Sequence, residues 1–288
     1  MAKSKNVTKE MFVDDDVVES KRSKNVKQPV DDNVSLQEPV SNLLSLPSLG
    51  KLGYPTEVPY RDILVKDEEI LSMATEDTYA QVLNRVLKSI LMDVPFYEKL
   101  SIHDRDYALI WLWANNYDPV KKMKVTCEHC GNVDTHSFDL RTVEVDDIKD
   151  NFVESIDVPL KSGTTIAVRM TRVDDELSAS EYIKKHPNES YQYVILAHTI
   201  IVPRVMKFDD KLKWIRENMT VKEIGYVKNY HRYFKFGINT FADYTCTACG
   251  GVTRDFVPFQ TEDILMPTSS DDFEQFLRTS EGAEDISD

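Results

Sequence analysis

The chain has 288 residues, of which 41% are hydrophobic and 10% aromatic, enough for one large or two modest folded units and too apolar for a disordered chain. Its 35 basic and 49 acidic residues leave a formal net charge of −14, which argues against general affinity for nucleic acid because phosphate binding relies on clustered Lys and Arg. No apolar run approaches the roughly 18 to 20 residues of a membrane span, and the opening MAKSKNVTKEMFVDDD lacks the apolar core and cleavage site of a secretory signal, so a cytosolic setting is expected.

In chain order, residues 1–45 read as an extended or disordered N-terminal arm. They contain no Gly and show no sustained period of 2 or 3.6, and alone they bury too little apolar surface to offset the entropy of ordering. A partner chain is expected to hold them. Residues 46–124 read as a strap followed by a helical region. In LPSLGKLGYP (46–55), two prolines and two glycines oppose regular structure while Leu46, Leu49, Leu52 and Tyr54 offer anchors, which predicts an extended apolar strap. A helix is predicted in TEDTYAQVLNRVLKSILMDV (75–94), where Val82, Val86 and Ile90 align beside Tyr79, Leu83, Leu87 and Leu91. A second is predicted over 101–117, with Ser101 as N-cap, Asp104 at its third helical position, and Tyr107, Leu109, Ile110, Trp111 and Trp113 directed at the core.

Residues 125–260 read as zinc-ribbon-like hairpins enclosing a hairpin and a helical insert. DTHSFDLRTVEV (134–145) alternates as a strand does, and IDVPLKSGTTIAVRM (156–170) predicts a hairpin turning at Ser162-Gly163. Helical patterns run from about 174 to 235. Thr220-x-x-Glu223 has capping-box form, and on that helix Tyr226, Tyr230, Tyr233 and Phe234 are assigned to packing while Lys228, Arg232 and Lys235 face water. RDFVPF (254–259) predicts a strand, and 261–288 an acidic C-terminal tail with one short helix. The fold class expected is α+β: a mainly helical core with β-hairpins and a zinc-ribbon-like four-cysteine element.

The four cysteines are the chemical signal. Cys127 and Cys130 lie in VTCEHCGN, Cys246 and Cys249 in TCTACGGV, and residues 131–245, 115 in all, separate the pairs. Both have the form C-x-x-C-G between strand-like flanks. Two intervening residues let both thiolates of a pair turn onto one ion, and the glycine permits the tight backbone that this needs. Four thiolates satisfy tetrahedral zinc and close its coordination, so one structural rather than catalytic zinc per chain is expected on Cys127, Cys130, Cys246 and Cys249. The spacing is wider than in most ribbons, which makes the insert a subdomain stapled at its ends. The plainer reading is a pair of metal-free hairpin loops. A thioredoxin-like role would need a strand-to-helix setting that neither loop has, and His129 reads as a solvated loop histidine.

Clustered carboxylates in EVDDIKD (144–150) and VDDELSASE (173–181) read as solvated helix starts rather than acid–base pairs. YVKNYHRYFKF (226–236) interleaves bases and aromatics as single-strand binders do, and makes a cytosolic zinc-ribbon nucleic-acid-associated factor the alternative function. No phosphate-binding or hydrolase motif is present, so an enzyme is not expected.

The order of LPSLGKLGYP, EEILSM (68–73), LSIHDRDYALIWLWANNYDP (100–119), VTCEHCGNVDTHSFDL, VPLKSGTTIAVRMTRVDDE (158–176) and the second cysteine loop resembles the baseplate hub and hub-assembly proteins of T-even-type contractile-tailed bacteriophages. The resemblance spans about residues 46–260. It implies a structural or assembly component with other baseplate or tail proteins as partners, located in the virion tail baseplate after assembly in the host cytoplasm. It carries over no catalytic residues, and from apolar content and charge neither a membrane nor a nucleic-acid partner is expected.

Overall fold

The computed structural model describes residues 42–257 apart from Glu76 and Asp118. The expectations for residues 1–41, for Pro258 and Phe259 of the last strand, and for the acidic tail lie outside the described residues. The α+β class is borne out: among the described residues, seven α-helices stand beside five small antiparallel sheets.

The strap turns rather than extends. Strand β1 (Asn42–Ser45) pairs antiparallel with β2 (Glu57–Tyr60), and the segment between them closes through bonds from the Leu46 amide to the Thr56 carbonyl (2.7 Å), Leu49 to Leu46 (3.1 Å) and Lys51 to Ser48 (3.0 Å). Prolines and glycines that oppose a helix or strand equally favour successive turns. Of the four expected anchors, Leu46 and Tyr54 are buried, Leu52 is half-buried and Leu49 faces solvent. What fixes the strap is polar: the buried Asp104 carboxylate accepts the Ser48 amide (3.1 Å) and the Tyr54 hydroxyl.

Helices α1 (Val65–Ser72), α2 (Tyr79–Ile90) and α3 (Ile102–Asn116) complete this first core. Leu83, Val86, Leu87, Ile90 and Leu91 pack against Leu100, Ala108 and Leu112. Fully burying one such leucine contributes roughly 1.5–3 kcal/mol. Ser101 caps α3 as its sequence predicts, its hydroxyl accepting the Asp104 amide at 3.0 Å. Helix α1 was not expected, since VKDEEILS buries only Asp67 and Leu71.

Strands β3 (Val120–Thr126) and β4 (Val133–Asp139) form the first cysteine hairpin. The chain then passes through β5 (Val145–Asp146) into the expected hairpin of β6 (Ser155–Pro159) and β7 (Thr165–Arg169), which turns through Gly163 at φ +85°. Helices α4 (Val173–Lys185) and α5 (Tyr191–Thr199) follow, and β8 (Ile200–Ile201) adds a third strand beside β7. Helices α6 (Phe208–Asn218) and α7 (Val221–Tyr233) close a second core around Ile166, Val168, Val194, Ile200 and Val227. Strand β9 (Gly237–Ile238) returns to β5, and β10 (Phe241–Thr245) and β11 (Val252–Phe256) form the second cysteine hairpin.

One correction concerns α7. Its capping box is present, with the Glu223 amide donating to the Thr220 hydroxyl and the Thr220 amide to the Glu223 carboxylate. Its packing face, however, is Ile224, Val227, Tyr230 and Phe234, while Tyr226 and Tyr233 are exposed. Periodicity alone allows either aromatic stripe to turn inward; the aliphatic Ile224 and Val227 decide which one does.

Candidate metal centre

Each cysteine loop is built the same way from its local backbone. In the first, the Cys127 amide donates to the Asn132 carbonyl (2.8 Å) and the Gly131 amide to the Cys127 carbonyl (2.9 Å). In the second, the Cys246 amide donates to Gly251 (2.9 Å) and the Gly250 amide to Cys246 (2.9 Å). Gly131 and Gly250 have φ of +73° and +72°, a region side chains rarely adopt, which is why a glycine follows each pair. Both loops are thus one knuckle made twice, each folding two sulfurs onto the same side.

The fold brings the knuckles face to face. All four sulfurs lie within 4.8 Å of one another, with Cys127 to Cys249 and Cys130 to Cys246 each 3.7 Å apart. A disulfide needs about 2.05 Å, so these are four free thiols. Zinc–sulfur bonds of about 2.3 Å place the sulfurs of a tetrahedron about 3.8 Å apart, and the cross-pair distances match that edge. The donor set, its spacing and its two similar knuckles therefore suit a four-thiolate metal site. Cys127 and Cys246 are buried and Cys130 and Cys249 exposed, so one flank of the cluster meets solvent.

The electrostatics agree. Backbone amides of Cys130 and His129 aim at the Cys127 sulfur and pull its thiol down to about 6. The Asn132 amide lowers the Cys130 thiol in the same way, but the crowding sulfurs of Cys249, Cys246 and Cys127 push it up to about 12. Four sulfurs this close repel as thiolates unless a cation sits among them. The Gly251 amide donates to Cys249 Sγ at 3.4 Å, a contact of the kind that steadies a metal-bound thiolate.

Several contacts between the hairpins were not legible in the sequence. The Asp134 carboxylate accepts the Thr247 amide and the Thr247 hydroxyl, both at 2.9 Å. The Glu128 amide donates to the Thr253 hydroxyl (3.2 Å), and His129 Nε2 lies 3.1 Å from the Val252 carbonyl oxygen. His129 is therefore an exposed loop residue, as expected, but one that spans to the other knuckle. Beneath the sulfurs, Val125, Tyr244 and Val257 form a small apolar core with Met123, Phe138 and Ala242. Only the motif itself signalled this site; nothing local marks Asp134 or Thr253 as partners of residues more than a hundred positions away.

The carboxylate clusters have other work. Asp175 takes both guanidinium nitrogens of Arg169 (2.6 and 2.8 Å) and the Arg172 amide (2.9 Å) at the start of α4, and Glu176 pairs with the buried Arg105 (2.6 Å). Asp67 repeats the first device at α1, taking Arg61 (2.6 and 3.0 Å) and the Leu64 amide (2.9 Å). In the 144–150 cluster, Asp146 and Asp147 are exposed and Asp150 pairs with Lys51 at 3.2 Å. Among the described residues, no helix is long and apolar enough to cross a membrane.

A family model described as T4 bacteriophage base plate protein matches residues 40–266. No curated protein and no solved structure matches the chain.

Proposed function

Because the chain belongs to the T4 bacteriophage base plate protein family, we propose that it is a structural or assembly component of the hub or inner region of a contractile-tail baseplate, braced by one zinc ion on Cys127, Cys130, Cys246 and Cys249. The observation that carries the role is the family match, which spans both knuckles and everything between them. The zinc rests on the sulfur geometry. Closed four-cysteine coordination leaves no position for substrate, so the ion acts on the fold and not on a reaction. The protein is assembled in the host cytoplasm and resides in the virion tail, bound to other baseplate proteins. The division into strap, helical region and clasped insert follows the same logic, with the insert's two ends meeting at β5 and β9.

The experiment is purification of baseplates and hub intermediates from infected cells, followed by quantitative mass spectrometry. The expected result is this chain in fixed stoichiometry with other inner-baseplate proteins, and a Cys127→Ser chain missing from them. Recovery of the wild-type chain only as a free protein, or on nucleic acid, would overturn the reading. The alternative of a nucleic-acid-associated factor has one observation behind it, the basic surface of α7.

A further inference from the structure

The solvent side of α7 gathers several cations in one short segment of this acidic chain. Lys222, Lys228 and Arg232 on the helix and Lys235 just past its end are all exposed, and none forms an ion pair among the described residues. Elsewhere the arginines Arg61, Arg105, Arg169 and Arg216 each hold a carboxylate. With 49 acidic residues against 35 basic, unpaired cations side by side require that carboxylates be kept away. Within this segment they are: between Val221 and Phe236 the sole acid is Glu223, and it is buried, committed to Thr220 and to the Lys161 amide.

Aromatic rings share this face. Tyr226 and Tyr233 are 44% and 51% exposed, and Tyr193 of α5 is 44% exposed. Each carries a lysine ammonium: Lys222 lies 6.0 Å from the Tyr226 ring, Lys149 lies 3.7 Å from Tyr233 and Lys228 lies 5.3 Å from Tyr193. Such contacts hold long side chains in place and lower the entropy lost when a partner arrives. Exposed tyrosines beside Arg232 have the composition of a binding surface; Tyr233 is also held from within the chain, its hydroxyl accepting the Asn151 side-chain amide at 3.1 Å, and still keeps half of its surface exposed.

Gly225 lies between the two stripes, one of Lys222, Tyr226 and Tyr233, the other of Lys228 and Arg232. A Cβ there would meet nothing within 4 Å, so no intramolecular contact requires the glycine. In mid-helix it costs roughly 0.5–1 kcal/mol relative to alanine. A flat spot between a tyrosine stripe and a basic stripe is what lets another backbone approach closely.

We propose that this face of α7 is a docking surface for an acidic, aromatic-bearing segment of a neighbouring baseplate protein. The choice of a protein occupant deepens the structural role proposed above and rests on it. It is also favoured by charge, because a chain of net charge −14 repels a long polyphosphate more than a short acidic peptide.

The test uses the full chain in fluorescence anisotropy with two probes, a short labelled Glu/Tyr copolymer of about ten residues and an oligothymidylate of about 20 nucleotides. The copolymer is expected to bind more tightly, to weaken with added salt, and to lose roughly tenfold or more in affinity in the variant K228E/R232E. Both substitutions are at exposed positions, so the variant's melting temperature should stay at the wild-type value. Y226A/Y233A should weaken the copolymer without changing net charge. Equal or tighter binding of the oligothymidylate, no copolymer binding, or binding unaffected by either variant would overturn the proposal. Incorporation of the chain into baseplates is scored separately: failure of the probes with incorporation intact removes the docking surface alone, whereas absence from baseplates removes the structural role.

Discussion

The carboxylate of Asp134, beside the first knuckle, takes both the amide and the hydroxyl of Thr247, inside the second. These bonds, the Thr247 amide foremost, hold the Asp134 carboxyl below the usual carboxylate range. A depressed folded pKa means that the stabilisation is complete above about pH 4 and is lost as pH falls through the folded value. D134A is therefore expected to melt below wild type at pH 7, with the gap closing in strong acid. Thermal melts of both proteins across pH 2.5–7 check it; a gap that is independent of pH would contradict the assignment.

The cysteine cluster has its own expectation. Metal analysis of purified protein should give close to one zinc per chain, and C249S or a strong chelator should lower the melting temperature on the order of 10 °C, because metal binding contributes directly to folding. Zinc near zero together with four titratable thiols would overturn the zinc assignment. Loss of zinc without loss of stability would make the clasp dispensable.

At α4, the bidentate pair of Arg169 and Asp175 has side chains only 17% and 5% exposed. D175N keeps an acceptor for the Arg172 amide but leaves the guanidinium short of its charge partner. We expect a cost of about 3 kcal/mol, read as a lower urea midpoint at unchanged m-value. A loss under about 0.5 kcal/mol would show that water replaces the carboxylate.

Two glycines should respond in opposite directions. Gly237 has φ of +83°, and a Cβ there would approach the His103 carbonyl oxygen at 3.2 Å, so G237A is expected to destabilise by roughly 1–3 kcal/mol. Gly225 is helical with open space around it, so G225A should stabilise by roughly 0.5–1 kcal/mol. Chemical unfolding of the two variants side by side tests both, and matching signs would refute the reading of Gly225.

How much of this could be read from the sequence depends on distance along the chain. The Ser101 and Thr220 caps, the turn at Gly163 and both knuckles are settled by residues within about five positions of one another, and each was legible. Helix α1 was not, because its start is fixed by Arg61 reaching Asp67 rather than by an apolar stripe. The strap was read as extended because its anchoring groups, the Ser48 amide and the Tyr54 hydroxyl, act through Asp104 some fifty residues later. The sulfur tetrad was inferred from its motif. The side chains that align the two knuckles, Asp134 and Thr253, became visible only once the hairpins were brought together.

The distance between the knuckles also has a consequence in time. Cys246 follows Cys130 by 116 residues. At synthesis rates of about 5 to 20 residues per second, the first pair of thiols waits roughly 6 to 23 s for the second. Through that interval the first hairpin is half a site, while β6, β7 and helices α4 to α7 emerge and can pack on one another. On the zinc site proposed above, closure comes only after those elements have emerged, and a nascent chain stalled before Cys246 cannot complete the four-sulfur set at all.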